Sequence, residues 1–69
     1  MFVIKDTTTG EYFRRRAGRA GWYGSNPADA RFYASAAAAD RVIQAGGHHV
    51  TYPGGRSLNI VPVSAVEEL

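Results

Sequence analysis

The sequence predicts an α+β fold: a small antiparallel sheet of three to five strands, formed by an N-terminal and a C-terminal hairpin, with one helix packed on one face. Three observations lead there. A Thr-Thr-Thr-Gly turn separates two β-prone runs near the N-terminus, an alanine-rich segment follows a serine in the middle of the chain, and a Pro-Gly-Gly turn separates two further β-prone runs. The order hairpin, loop, helix, hairpin repeats no unit, and 69 residues are enough for one small core, so residues 1–69 read as a single domain.

Phe2, Val3 and Ile4 begin the first hairpin, and Thr7-Thr8-Thr9-Gly10 forms its turn, with Gly10 able to take the positive φ that such a turn needs. Glu11 to Arg15 is the returning strand. Alternation puts Phe2, Ile4 and Phe13 on the inner face and leaves Tyr12 and Arg14 outward. Residues 17–26 contain Gly18, Gly21 and Gly24 and read as a long glycine-rich loop anchored by Trp22 and Tyr23. Asn26-Pro27-Ala28-Asp29 has the pattern of a capped single turn, and Arg31-Phe32-Tyr33 reads as a short extended piece.

Ser35 stands as N-cap before a helix over Ala36 to Ala45. Ala39, Val42 and Ile43 make its apolar stripe, with Asp40, Arg41 and Gln44 toward solvent. Gly46 or Gly47 ends the helix through a left-handed cap. His49–Tyr52 and Ser57–Val63 form the second hairpin around Pro53-Gly54-Gly55, contributing Val50, Leu58 and Ile60 to the core. Ser64-Ala65-Val66-Glu67 has capping-box spacing, and at most one turn is expected there.

Hydrophobic residues make up 45% of the chain and charged residues 20%, a globular balance, and no run approaches the roughly 18 apolar residues of a membrane span. The N-terminus carries no secretory pattern and there is no cysteine, so the cytosol is the expected compartment, with no disulfide framework or thiolate metal site. Eight Lys and Arg against six Asp and Glu leave a net charge of +2, too small to argue for a polyanion partner on its own. The charge is unevenly placed. Residues 12–31 hold Arg14, Arg15, Arg16, Arg19 and Arg31 against Asp29 alone, whereas the last six residues hold Glu67 and Glu68 and no base.

The candidate partner-binding residues are therefore Arg14, Arg16, Arg19, Trp22 and Tyr23. Guanidiniums bind carboxylate or phosphate through paired hydrogen bonds, and Trp and Tyr supply large contact area in protein interfaces or stack on bases. The alternative is a solvated strand end whose charge prevents edge-to-edge association. Few basic residues lie outside this patch and the C-terminus is acidic, which favours a protein partner, with nucleic acid as the second choice.

Gly18, Gly21 and Gly24 lack the strand-glycine-helix context of a nucleotide-binding loop. His48 and His49 are adjacent, point to opposite faces if extended, and have no cysteine to complete a metal site. Ser25, Ser35, Ser57 and Ser64 lie outside nucleophile-elbow contexts, and Asp6, Glu11, Asp29 and Asp40 show no paired pattern. A domain of this size is also expected to have little room for a pocket of a few hundred Å³. The sequence predicts neither enzyme nor cofactor, no small-molecule substrate, and no membrane partner.

The segments FVIKDTTTGEYF, GWYGSNPADARFY, SAAAADRVIQ and the closing IVPV together resemble very small phage and prophage accessory proteins. The resemblance implies action by binding in a host cytoplasm, as in inhibitors of host enzymes such as RNA polymerase or gyrase, or in anti-CRISPR proteins that block a Cas surface. It brings no catalytic residue. The arginine-aromatic segment departs from the acidic surfaces of DNA mimics, so the expected partner is a larger host or defence protein, or a protein–nucleic acid complex, whose surface is occluded.

Overall fold

The structure is a computed structural model, and it describes residues 1–18, 21–46 and 57–66. Four strands form one antiparallel sheet: β1 (Phe2–Asp6), β2 (Tyr12–Gly18), β3 (Gly21–Gly24) and β4 (Leu58–Pro62), in the order β3-β2-β1-β4. The single helix, α1, spans Ala36–Ala45, and 3-10 turns cover Pro27–Asp29 and Val63–Ala65. This is the predicted α+β architecture.

The first hairpin turn is organised by Asp6, which is only 2% exposed. Its Oδ1 accepts hydrogen bonds from the Thr8 N–H (2.9 Å) and the Thr9 N–H (3.4 Å), while its carbonyl accepts from the Gly10 N–H at 2.8 Å. Gly10 takes φ 78° to close the turn, a conformation costly for residues with a Cβ. Asp6→Ala leaves the amides of this turn without their carboxylate, with an expected loss of about 1–3 kcal/mol by chemical denaturation. Asp6→Asn, which keeps an acceptor oxygen, should recover part of it.

Beyond the turn the hairpin splays. β1 and β2 pair at Lys5↔Tyr12, and farther out a different part of the chain occupies the gap. Ala30 bridges Arg14 of β2, the Arg31 N–H donates to the Phe13 carbonyl at 2.9 Å, and Tyr33 and Phe2 exchange two hydrogen bonds of 2.8 Å. The segment enters along one arm and leaves along the other, pairing backbone groups that the separation would otherwise strand. On its other edge β1 pairs with β4 in continuous register from Phe2↔Pro62 to Asp6↔Leu58.

The main core lies between the sheet and α1. Ile4, Phe13, Tyr23, Tyr33 and Ala39 are buried there, with Phe2, Trp22, Val42, Ile43, Leu58 and Ile60 packed around them. Ala39 is fully buried, and its single methyl lets the helix approach the sheet closely. The helix is capped as its sequence predicts: Ser35 Oγ accepts from the Ala38 N–H at 3.1 Å, and Gly46, at φ 70°, donates to the carbonyls of Ile43 and Val42.

Four sequence expectations are corrected. Residues 17–26 are not one long loop: β2 continues through Gly18, and Gly21–Gly24 form β3, because Trp22 and Tyr23 pack against Phe13 and bring the glycines into strand positions. Tyr12 is not outward but buried (9% exposed) in a second cluster with Val3, Ala30 and Val66, so both faces of the sheet are covered. Tyr23 is buried as well, at 2% exposure. The final turn starts at Val63 with Pro62 as its cap residue, so Ser64 lies inside it and does not cap it. The proposed strand at His49–Tyr52 and its Pro53-Gly54-Gly55 turn fall outside the described residues, as does Val50.

Tyr33 is a buried polar exception. Among the described residues its hydroxyl has no hydrogen-bond partner, and burial raises its pKa above the ordinary tyrosine value, partly offset by Arg31, whose guanidinium carbon lies 5.6 Å from the ring centroid. A proton held more tightly in the folded state gives stability that is complete below the unfolded pKa of about 10 and declines as pH rises through the folded value. Tyr33→Phe should therefore be neutral or stabilising near pH 7, and should remove this tyrosine's part of the alkaline loss when denaturation midpoints are compared at neutral pH and above pH 10.

Candidate arginine docking site

The basic segment falls where β2 changes partners. Near the hairpin turn β2 pairs regularly with β3, Tyr12↔Gly24 and Phe13↔Tyr23, but the next pair is Gly18↔Gly21. Five residue steps on β2 thus match only two on β3, and the strand bulges through Arg14, Arg15 and Arg16. A bulge bends its strand and re-aims side chains. Here it opens a depression of about 320 Å³ lined by Arg14, Arg15, Arg16 and Asp29. Alternation along a flat strand would set Arg14 and Arg16 on one face and Arg15 on the other, whereas here all three border one concavity. Asp29 is held there by the turn after Asn26, whose Oδ1 accepts from the Ala28 N–H at 3.1 Å.

Arg15 and Arg16 are exposed, whereas Arg14 is half-buried. Its side chain crosses Gly24: a Cβ built there would come within 3.1 Å of Arg14 Cδ and 3.6 Å of Nε. The absent side chain of Gly24 is what lets the Arg14 stem lie against β3. Gly24→Ala should displace Arg14 by a few tenths of an ångström. It is expected to shift the Arg14 Nε–Hε resonance while changing stability by no more than about 1 kcal/mol, because a flexible side chain yields more readily than backbone.

The sequence-selected residues separate into three groups. Arg14 and Arg16 meet at the depression, as expected, joined by Arg15. Trp22 and Tyr23 do not form an exposed aromatic contact. Trp22 is half-buried with its ring stacked on Phe13 (centroids 5.8 Å apart, planes at 24°), and Tyr23 lies across the same phenyl ring at 5.6 Å. Both aromatics are committed to packing because Phe13 offers an apolar ring directly across from β3. Arg19 lies outside the described residues, as do His48 and His49.

Phe32 is an aromatic that the sequence reading did not select. It is 41% exposed, unusual for a large apolar side chain, and follows Arg31 two residues after Ala30, the partner of Arg14. Its signal in the sequence was position alone: Arg31-Phe32-Tyr33 alternates, and Tyr33 is the buried member of the adjacent aromatic pair. Exposed Arg31 and Phe32 are the first and second residues after Ala30, the bridge partner of Arg14.

The expectation of little room for a pocket of a few hundred Å³ is also corrected. A second depression, about 440 Å³, is lined by residues that include Lys5, Tyr12, Ser25 and Pro27. Splaying of the hairpin and the bulge give this small sheet concave surfaces that a flat one would lack. Among the described residues, no helix is long and apolar enough to cross a membrane. No protein-family model, curated protein or solved structure matches the chain.

Proposed function

We propose that this chain is a small non-enzymatic binding protein that docks on an acidic patch of a larger protein and acts by covering that surface. The observation that carries the reading is the convergence of Arg14, Arg15 and Arg16 on one depression whose lining includes a single carboxylate, Asp29, among the described residues. Three guanidiniums exceed what Asp29 can neutralise. They offer paired, planar donors to carboxylates, and their collective charge would accelerate encounter with an acidic surface. Exposed Phe32, two residues along the chain from Ala30, the bridge partner of Arg14, offers apolar contact area that arginine alone does not. Trp22 and Tyr23 support the site from beneath, by fixing β3 against Phe13.

A protein partner is favoured over nucleic acid because the basic residues are concentrated here while Glu67 and Glu68 close the sequence. Titration with mixed-sequence DNA and RNA at about 50 mM salt tests the choice, since binding through phosphates is strong at low salt. The expected result is no saturable binding tighter than about 10⁻⁴ M, the weak end of ordinary non-specific affinity. Tighter binding with a steep logarithmic salt dependence would make the arginine bulge a nucleic-acid contact instead.

A further inference from the structure

The depression at the β2 bulge is lined, among the described residues, by charged side chains alone: Arg14, Arg15, Arg16 and Asp29. Among these, three guanidiniums against one carboxylate leave an excess of two positive charges at one concavity. Its volume, about 320 Å³, is at the small end of the roughly 300–1,000 Å³ of ligand sites, which suits one compact group better than an extended one. Arg14 is half-buried with its stem against Gly24, so it has less conformational freedom to lose on binding. Arg15 and Arg16 are exposed and can adjust around the same group. Asp29 comes from a separate element, the Pro27–Asp29 turn, where its N–H donates to the Asn26 carbonyl at 3.1 Å. Its negative charge disfavours a second anion in the same concavity.

We infer that the group this depression takes is a phosphate monoester dianion, carried on a phosphorylated side chain of the protein partner. This rests on the docking role proposed above and gives that role its chemical class of ligand. A carboxylate brings one charge and two oxygens, enough for one guanidinium fork. A phosphate monoester brings a charge of about −1.5 to −2 at pH 7 and three terminal oxygens, which matches the excess charge of the lining and gives each of the three guanidiniums an acceptor. A nucleic-acid backbone fits less well. Its diesters carry one charge each and are distributed along a strand, whereas the arginines are gathered at one concavity with a repelling carboxylate.

The test is an NMR titration of the full chain that follows the arginine Nε–Hε resonances at about 50 mM salt and neutral pH. The probes are an end-capped Gly-Gly-phosphoserine-Gly-Gly peptide, the same peptide with glutamate in place of phosphoserine, and a short oligothymidylate. Saturable shifts at Arg14, Arg15 and Arg16 are expected with the phosphopeptide, with a dissociation constant of about 1 mM or tighter. The glutamate peptide is expected to bind at least about tenfold more weakly, and R14A/R15A/R16A to lose the phosphopeptide. Absence of saturation by the phosphopeptide at about 10 mM, or saturation that leaves the Arg14–Arg16 resonances unmoved, would overturn the inference. Equal binding of the two peptides would also overturn it while leaving the acidic docking role standing, and tighter binding of the oligothymidylate than of the phosphopeptide would overturn both. The peptide comparison uses the unaltered protein, so it decides the matter even if R14A/R15A/R16A fails to fold.

Discussion

Replacing Arg14, Arg15 and Arg16 together by alanine is expected to weaken partner binding at least about a hundredfold while leaving the fold in place. A strongly contributing interface side chain costs about 2 kcal/mol or more on truncation, and about 1.4 kcal/mol is a factor of ten, so losing two such contacts is enough. The effect on stability should be far smaller. Arg15 and Arg16 are exposed, and changes at such positions usually stay within about 0.5 kcal/mol. Arg14 contributes some packing through its stem over Gly24, but its removal opens no cavity in either buried cluster. Isothermal titration against the partner measures the first effect, and circular dichroism with a denaturation curve measures the second. Arg14→Lys, Arg15→Lys and Arg16→Lys together keep the charge but lose the planar fork. Partial recovery in that variant would separate the role of charge from that of paired hydrogen bonding.

Phe13→Ala is expected to unfold most of the population. Phe13 is buried, packs on Tyr23 and Trp22, and belongs to the cluster that also contains Ile4, Tyr33 and Ala39. Removing a buried phenyl group costs about 3–5 kcal/mol, of the same order as the whole stability of a chain this size at about 0.05–0.15 kcal/mol per residue. The damage should also reach the docking surface. Phe13 is the last regularly paired residue of β2 before the bulge, and its carbonyl accepts the Arg31 N–H. Near-ultraviolet circular dichroism should lose its aromatic signal, and the denaturation midpoint should fall toward the absence of a cooperative transition. Phe13→Leu, which keeps most of the apolar volume, should retain a transition at lower denaturant.

Phe13 and the arginine cluster also show where the sequence was legible. Phe13 was assigned inward from alternation with Phe2 and Ile4, and the hairpin turn, the Ser35 cap and the Gly46 terminus were readable because each is settled by residues within one turn of chain. The sides of Tyr12 and Tyr23 were not readable in that way. Tyr12 is covered by Val3, Ala30 and Val66, the last lying 54 positions away, and no local pattern reports that contact. Tyr23 is inward because it is registered opposite Phe13, a pairing concealed by the three glycines around it. The arginine cluster was visible as composition, but its convergence was not. Strict alternation would divide Arg14 and Arg16 from Arg15, and only the mismatch between five steps of β2 and two of β3 puts all three around one depression.

Capture from a nuclease-treated lysate, run in parallel with the parent protein and R14A/R15A/R16A, tests the docking role most directly. The predicted result is a polypeptide of acidic surface retained by the parent after nuclease digestion and lost from the variant, with both baits showing the same circular dichroism. Capture that disappears with nuclease, or that the folded variant retains in full, would contradict a protein-docking role for Arg14–Arg16.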